Sequence, residues 1–320
     1  MAERLNFSLT QLEYVLALHR FGHFAKAAKA CHVTQPTLSM QIQKLEEQLG
    51  AVLFDRSKKP ILLTDVGRAL IDQIQVAVME SRKIGSLVRR ASDQEPSGEL
   101  SVGVIPTLAP YVLPRVLPLI EKRFPKITLV LNEMQTHQIV SALQADEIDA
   151  GILATPLGSA NLIEIPVFYE PFVVLGHRGH PLLAKKSVRY PELTHDDLWL
   201  LSEGHCLRGQ VLDLCELQRR KNPNPHYRFE SGNLETLKNL VDAYGGYTLL
   251  PTLAADRIGP NSKIVPFRNP APGREVGVVY LRKHYKAPLI QLLAEAIRAS
   301  MPKALTNLTR KDLDVLPVES

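Results

Sequence analysis

The stretch FAKAAKACHVTQPTLSMQIQKLEEQLG, residues 24–50, decides how the N-terminal part of the chain folds. Its first part reads as a short helix from His23 to Cys31, whose small alanines allow another helix to cross closely. Thr34 is placed to cap a second helix, Pro36 lies in the first turn of that helix, and Gly50 ends it. Two helices joined by a short turn form a helix-turn-helix.

The exposed face of the second helix carries glutamines and small hydroxyl side chains, which suit the edges of DNA bases. We therefore expect this helix to enter the major groove of double-stranded DNA. The residues predicted to contact DNA there are Thr34, Gln35, Pro36, Thr37, Ser39, Met40, Gln43 and Lys44. A basic turn and a short strand over 61–63 predict a wing, with Arg56, Lys58 and Lys59 on phosphates. The alternative is an ordinary helical bundle with a charged loop.

Two further helices flank this motif. Ser8 is placed to cap a helix that begins at Leu9 and ends at Gly22. Thr64 is placed to cap a long helix over 65–91, whose inward positions alternate steps of four and three, close to a heptad repeat. These positions are Leu70, Ile74, Ala77, Ser81, Ile84 and Val88. We expect two such helices to pair as a dimer seam, and the alternative is a helix packed on its own body.

These patterns divide the chain into four segments. A winged helix-turn-helix head covers 1–64, a linker and dimerisation helix 65–91, a polar hinge 92–98 and a regulatory domain 99–320. All of the formal net charge of +5 lies in residues 1–92, and the rest of the chain is neutral. This asymmetry is typical of a polyanion-binding head on a neutral body.

The composition predicts a cytoplasmic protein. Three cysteines are too few for a secreted disulfide scaffold, and the N-terminus lacks the apolar core of a signal peptide. The sequence contains no apolar run near the roughly 20 residues needed to cross a bilayer. We therefore expect a soluble protein in a reducing compartment, where a disulfide would be transient and regulatory.

Beyond the hinge, the hydrophobic pattern alternates between strands and helices. The predicted strands cover 100–105, 127–132, 150–153, 168–176, 199–201, 247–251 and 276–281. Predicted helices cover 111–123, 136–145 (capped by Thr136) and 290–301. Repeated βα units predict an α/β domain with a parallel sheet, in which ligands bind at strand ends near helix N-termini.

Cys206 stands between a histidine and, two positions on, an arginine, and Cys215 follows nine residues later. Cationic neighbours favour the thiolate, which is the form of cysteine that attacks electrophiles such as peroxides. On one helix the two α-carbons would lie roughly 13 Å apart, whereas a disulfide needs them within about 7 Å. A bond between them would therefore require local refolding, as a redox switch needs. Cys31, among alanines, is expected in the core of the head.

The helix-turn-helix residues, continuing through Leu53-Phe54-Asp55-Arg56 to Leu63-Thr64 and Gly67, closely resemble those of LysR-type transcription regulators. The region after the hinge resembles their two-lobed effector domain, which is similar in fold to periplasmic binding proteins. The resemblance implies an α/β chain with an α-rich winged head, a linker helix and this effector domain. It also implies a homodimer or homotetramer that represses or activates transcription.

Within that family, the cysteine segment, Thr107 and the run 135–138 look like the OxyR peroxide sensors. The resemblance implies that Cys206 is the peroxidatic cysteine and Cys215 the resolving one. The residues that it implies line or support the peroxide pocket are Thr107, Thr136, His205 and Arg208. Its implied partners are hydrogen peroxide, RNA polymerase and a glutaredoxin- or thioredoxin-type reductant, with no metal or other cofactor and no membrane.

Two residues depart from that subfamily's pattern. Gly209 stands where the family commonly has an aspartate in its reactive pocket, and Leu281 where it often has an arginine. Arg282 follows directly. Both departures bear on how fast the thiol reacts with peroxide.

Two other functions remain open at this point. One is a regulator of the same fold that binds a small anionic metabolite through Thr107 and Thr136, with both cysteines structural. The other is a thiol peroxidase that uses the same cysteine pair. We expect a non-enzyme, because an enzyme has no need of a winged helix-turn-helix.

Overall fold

The computed structural model of the chain describes residues 7–91, 95–193, 197–214 and 232–318. Two compact units divide near residue 94: the first contains the described residues up to 91 with Lys283–Lys286, and the second contains the remainder. Each unit has its own apolar core. None of the helices in the described ranges is both long and apolar enough to cross a membrane.

The first unit consists of four helices and a small wing. Its elements are α1 (Leu9–Phe21), α2 (Phe24–Ala30), α3 (Gln35–Leu49), β1 (Phe54–Asp55), β2 (Leu62–Leu63) and α4 (Asp65–Ala91). The two strands pair antiparallel, with Phe54 opposite Leu63. Leu38, Ile42 and Leu45 of α3 are fully buried, so the apolar face of this helix anchors the unit.

Local capping residues explain where the helices of the head begin and end. Ser8 caps α1 through the backbone N–H of Gln11, and Thr34 caps α3 through that of Thr37. Gly22 and Gly50 adopt the left-handed conformation that ends these helices, with φ of 55° and 64°. These ends are as predicted.

Part of the apolar stripe on α4 that was predicted as a dimer seam is buried within the head itself. Ile74, at 8% exposure, and the neighbouring Val78, at 1%, lie in the core of the head itself. Leu70 and Ala77 also pack partly on that core. Ile84 is 65% exposed, and the side chain of Val88 lies outside the described residues. The first half of the stripe therefore packs on its own body, because α4 must also cover the apolar side of the head.

The second unit is a mixed α/β domain. Its strands are β3 (Gly98–Val104), β4 (Ile127–Glu133), β5 (Ala150–Thr155), β6 (Leu162–His177), β7 (Tyr247–Pro251), β8 (Ser262–Pro266), β9 (Ala271–Leu281) and β10 (Leu313–Val315). Its helices are α5 (Ala109–Arg123), α6 (Thr136–Gln144), α7 (Cys206–Leu214), α8 (Leu234–Tyr244), α9 (Ala287–Ser300) and α10 (Lys303–Thr306). Short 3₁₀ turns cover Pro181–Ala184, Tyr190–Glu192 and Thr252–Asp256.

The strands follow the order β4-β3-β5-β9-β6-β7, with β10 beside β9 and β8 beside β6. β3 runs parallel to β4 and β5, but β9 runs antiparallel to β5 and to β6. The predicted parallel arrangement is thus correct for β3, β4 and β5, and β10 also runs parallel to β9, whereas the other pairings are antiparallel. Two long strands, β6 and β9, pair antiparallel and pass from one lobe into the other.

Each lobe has a separate core. The first is built on β3, β4, β5, α5, α6 and α9, and the second on β7, β8, α7 and α8. Phe168 near the middle of β6 belongs to the first core, and Phe172, four residues later, to the second. The lobes meet where these strands cross, which places the elements of the site described below.

Two local predictions are wrong. Residues 199–201 do not form a strand: Leu198 makes one isolated bridge with Tyr247, and the hydroxyl of Thr248 donates to the Trp199 carbonyl at 2.8 Å. A side chain thus occupies an acceptor that a strand would use for its ladder. Thr136 does not cap α6 but begins it, because Gln135 is the N-cap and its N–H donates to Oε1 of Gln138 at 2.9 Å.

Candidate functional site

The predicted DNA-contacting residues of α3 lie on the face of that helix that is turned away from the core. Met40 is 60% exposed, and the other α3 positions on that face are exposed or half-buried: Gln35, Pro36, Thr37, Ser39, Gln43 and Lys44. The hydroxyl of Thr34 accepts from the Thr37 N–H at 3.4 Å, so this residue also orders the start of the helix. Lys58 and Lys59 are exposed at the tip of the wing.

A buried glutamate, not predicted from the sequence, ties the wing to α3. Glu46 is 8% exposed and its Oε1 accepts the N–H groups of Leu53 and Phe54 at 2.8 and 3.2 Å. Its Oε2 accepts from Arg56 at 2.8 Å, and that guanidinium also lies 5.5 Å from the Phe24 ring centre. Arg56 therefore has a structural role within the head besides its predicted contact with phosphate.

Cys206 is the first residue of α7 and lies between the two lobes of the second unit. Leu207 and Val211 of the same helix are buried in the core of the second lobe. The half-buried Cys206 packs instead against the core of the first lobe. Backbone N–H groups in the first turn of a helix have no partner within the helix, so this end of α7 suits a negatively charged group.

The loop that leads into α7 is tightly constrained. Gly204 has a φ of 88°, and a Cβ there would lie 2.5 Å from Oε1 of Gln135, the residue that caps α6. The positive φ favours glycine here, and a larger residue would also displace the Gln135 side chain of the other lobe. Arg208 donates from Nη1 to the Leu201 carbonyl at 2.8 Å, which holds the first turn of α7 to the preceding segment.

His205 differs from the expected cationic neighbour. It is buried, and burial lowers its pKa below the ordinary value because it disfavours the imidazolium. At neutral pH this side chain is therefore uncharged. The positive charge beside Cys206 comes from Arg208, which is half-buried at the same cavity.

A cavity of about 600 Å³ opens at Cys206. Thr136, His205 and Arg208 line it together with the cysteine, so the structure brings four of the predicted site residues together. The remaining lining residues are His137, Val140, Ser141, Leu157, Ser159, Leu162, Glu203, Gly204, Gly209 and Leu212. Cys215 lies outside the described residues.

Thr107, predicted to line or support the same pocket, is part of a buried polar network. Its Oγ1 accepts from Nη1 of Arg274 at 2.8 Å, and its carbonyl accepts from Nη2 at 3.2 Å. The same guanidinium donates from Nε and Nη2 to Oε2 of Glu170, at 2.9 and 2.8 Å. Arg274 and Glu170 are both fully buried, and Glu170 also accepts the Leu253 N–H. Sequence reasoning missed both, because neither stands in a recognisable motif.

The two departures from the subfamily pattern have different surroundings. Gly209 lines the cavity. Leu281 packs partly against the core of the first lobe. Arg282 is exposed, and its Nε donates to the Ala160 carbonyl at 3.1 Å, in the loop that borders the cavity.

Cys31, the other cysteine within the described ranges, belongs to the head. It ends α2 and packs partly on the core. Burial, and to a smaller extent the charge of Glu13, raises the pKa of its thiol. A raised pKa lowers the thiolate fraction of Cys31 at neutral pH. Within the described ranges, no three His, Cys, Asp or Glu side chains converge as a metal site would require.

Family models match both units. Residues 9–68 match the bacterial regulatory helix-turn-helix of the lysR family, and residues 93–302 match the LysR substrate binding domain. The chain belongs to the LysR family of regulators.

Within that family, curated relatives of the chain include an OxyR protein and hydrogen peroxide-inducible genes activators. The chain is 38% identical over 301 residues to the DNA-binding transcriptional dual regulator OxyR of Escherichia coli, covering 92% of this chain and 96% of the relative. It is 36% identical over 275 residues to the probable hydrogen peroxide-inducible genes activator of Mycobacterium leprae, covering 85% and 88%.

Solved OxyR structures have the same architecture. A full-length OxyR mutant of Pseudomonas aeruginosa matches with a TM-score of 0.78 at 35% identity, over 92% of this chain and 99% of that one. An H₂O₂-bound OxyR mutant of Corynebacterium glutamicum matches with a TM-score of 0.59 at 28% identity, over 93% and 94%. The fold is therefore a helix-turn-helix head with a two-lobed substrate-binding-like domain.

Proposed function

We propose that this chain is a DNA-binding transcription regulator that hydrogen peroxide switches through Cys206. The observation that carries the proposal is the position of this thiol, at the first turn of α7 and in a cavity between the lobes. The name of the Mycobacterium leprae relative, a probable hydrogen peroxide-inducible genes activator, supports the same effector.

The first chemical step is a displacement at oxygen. The Cys206 thiolate attacks one peroxide oxygen, the O–O bond breaks, and the departing hydroxide takes up a proton to leave as water. Arg208 and the Thr136 hydroxyl, both on the cavity wall, are the candidate donors to that oxygen. The product is the sulfenic acid of Cys206.

The second step is the disulfide. The Cys215 thiol attacks the sulfenic sulfur, water leaves, and the Cys206–Cys215 bond forms. Eight helical steps part the α-carbons of Cys206 and Leu214 by about 12 Å, and one further residue reaches about 3.8 Å. With α7 intact, the two cysteine α-carbons stay at least about 8 Å apart, beyond the roughly 7 Å that a disulfide allows. Oxidation therefore unwinds α7.

This unwinding is the proposed signal. Leu207 and Val211 leave the core of the second lobe as α7 refolds, so the surface of that lobe changes. A modification shifts a conformational equilibrium only by its differential stabilisation of one state, and the disulfide supplies that difference.

The remaining parts of the proposal concern assembly. Residues 1–64 are the DNA-binding head, 65–91 the linker and dimerisation helix, 92–98 the hinge and 99–320 the redox-sensing domain. We place double-stranded DNA on α3 and the wing, and a second copy of the chain as partner in a homodimer or homotetramer. RNA polymerase and a glutaredoxin- or thioredoxin-type reductant complete the cycle, in a cytoplasmic setting.

The experiment treats the reduced protein with near-stoichiometric hydrogen peroxide and maps its thiols by peptide mass spectrometry. We expect rapid loss of the Cys206 and Cys215 thiols into one linked peptide pair, with Cys31 left reduced. Cys206→Ser should abolish both the linkage and the change in DNA footprint while preserving DNA binding, and Cys31→Ser is the matched control. A full peroxide response in Cys206→Ser would overturn the proposal.

The same samples discriminate the two other functions. Saturable binding of a small carboxylate with an inert Cys206 would indicate a metabolite-responsive regulator. Sustained peroxide turnover with a thiol reductant would indicate a peroxidase.

A further inference from the structure

The cavity at Cys206 is much larger than hydrogen peroxide requires. A water molecule takes up about 30 Å³ in the liquid, so a peroxide of two oxygens needs roughly twice that volume. The cavity measures about 600 Å³, which lies within the range of roughly 300–1,000 Å³ typical of pockets for organic ligands. Its volume therefore leaves room for a substituent on the peroxide.

The wall of the cavity has a polar part and an apolar part. Thr136 and Arg208 stand with Cys206 on the polar part. Four aliphatic side chains supply the apolar part: Val140, Leu157, Leu162 and Leu212. Val140, Leu157 and Leu212 are only half-buried, so a bound apolar group would remove further aliphatic surface from water.

Gly209 adds to this space. It lies three residues after Cys206 and lines the cavity with no side chain. A charged side chain at this position would disfavour an apolar group in the cavity, because burying a charge beside apolar groups is costly. Glycine at this position leaves the most room for an apolar group of the ligand.

We propose that the cavity admits organic hydroperoxides, ROOH, with a compact apolar R group, and that Cys206 reduces them. This inference rests on the proposed function of Cys206. The thiolate attacks the terminal oxygen, the O–O bond breaks, and the alkoxide RO⁻ takes up a proton to leave as the alcohol ROH. Cys206 is oxidised to its sulfenic acid, and the Cys215 thiol then displaces water to form the disulfide. Gly209 and Val140 are the residues that set the preference for this substrate class.

The test measures second-order rate constants for Cys206 oxidation in the full-length protein, with cumene hydroperoxide and with hydrogen peroxide. We expect the cumene hydroperoxide constant to be at least a tenth of the hydrogen peroxide constant. Val140→Trp and, independently, Leu157→Trp fill the apolar part of the cavity. Each should lower the ratio of the cumene hydroperoxide constant to the hydrogen peroxide constant at least tenfold. Val52→Trp places the same side chain at a 61% exposed position of the head and should leave the ratio unchanged.

The outcomes distinguish failure of this inference from failure of the proposed peroxide sensing through Cys206. Oxidation by hydrogen peroxide without oxidation by cumene hydroperoxide overturns the inference and leaves peroxide sensing intact. The same holds if both peroxides react but neither tryptophan variant, each with native circular dichroism, changes the ratio. If neither peroxide oxidises Cys206, the proposed function fails and this inference fails with it.

Discussion

The two functional helices, α3 of the head and α7 of the switch, are held in place by different means. α3 has 15 residues, with a threonine cap, a proline in its first turn and a left-handed glycine at its end. α7 has nine residues, with Gly209 in its interior, where glycine costs about 1 kcal/mol relative to alanine. Its position depends on contacts to the rest of the lobe, including buried Leu207, Gln210 and Val211.

This difference matches the roles proposed for the two helices. A helix that reads DNA has to keep its face fixed, and local capping fixes it independently of the surroundings. A helix that must unwind on oxidation is better stabilised by a few tertiary contacts, because losing them together releases it. The predictions below test this contrast.

The largest effect should come from removing the buried carboxylate behind α3. Glu46→Ala leaves the N–H groups of Leu53 and Phe54 buried without an acceptor and frees Arg56. We expect the head to lose about 3 kcal/mol of stability, since each unsatisfied buried donor costs about 1–3 kcal/mol. Hydrogen exchange of the wing amides measures the loss.

Glu47→Ala is the matched control, because Glu47 neighbours Glu46 on the same helix but is exposed and accepts only a 3.2 Å bond from Gln43 among the bonds described. It should change stability by less than about 0.5 kcal/mol. Equal effects of the two substitutions would contradict a structural role for Glu46.

The next effect concerns the anchor of α7. Gln210 is 1% exposed, and its amide nitrogen donates to the carbonyls of Leu316 and Pro317 at 3.3 Å each. Two carbonyl acceptors fix the orientation of the amide, and its Oε1 finds no partner among the described residues. The cost of burying this unpaired oxygen offsets part of the stabilisation that the two hydrogen bonds provide. We therefore expect Gln210→Ala to destabilise reduced α7 by only about 1–2 kcal/mol.

A less stable reduced form is harder to reach by reduction, so the disulfide potential of Gln210→Ala should fall by about 20–40 mV. Equilibration with glutathione buffers measures it. Gln144→Ala, at an exposed glutamine that ends α6, is the control and should leave the potential unchanged. A rise in the disulfide potential of Gln210→Ala would show that Gln210 does not stabilise the reduced form of α7.

The same contrast decides what could be predicted from the sequence. The ends of α1 and α3 were predictable because Ser8, Gly22, Thr34 and Gly50 act within their own turns. The ends of α7 could not be predicted in this way. This helix is held by the burial of Leu207 and Val211 against strands that lie far away in the sequence.

The candidate site divides in the same way. Cys206, Thr136, His205 and Arg208 were predicted together, because a resemblance carried them, and they do line one cavity. Thr107 was predicted to line or support that pocket, and its hydroxyl accepts a hydrogen bond from Arg274, which pairs with Glu170. Such a pairing joins residues more than a hundred positions apart, and no local pattern in the sequence indicates it.

A smaller effect, opposite in sign to that of Gln210→Ala, should follow from strengthening α7 locally. Gly209→Ala adds about 1 kcal/mol of helix propensity to the reduced form. The disulfide potential should therefore rise by about 20 mV, and Gly209→Ser should give roughly half of that rise. The glutathione titration used for Gln210 measures both. An unchanged potential in both variants would show that α7 is not the element that unwinds.

The smallest expected effect is a pH dependence of the stability of the second unit, caused by the buried His205 next to Cys206. It tests the surroundings of α7 without changing the reactive thiol. Burial lowers the pKa of this imidazole in the folded protein, so as the pH falls below about 6.5 the unfolded chain takes up the proton first. Stability of the second unit should therefore fall as the pH drops from 6.5 through the lowered pKa, whereas above that window His205 contributes no slope. The single tryptophan, Trp199, lies in this unit at 6% exposure, so its fluorescence in urea titrations follows the unfolding. His205→Gln should flatten the slope, while His19→Gln in the head, whose pKa burial also lowers, should leave it unchanged. A slope that survives in His205→Gln would mean that this histidine is not the group that couples α7 to pH.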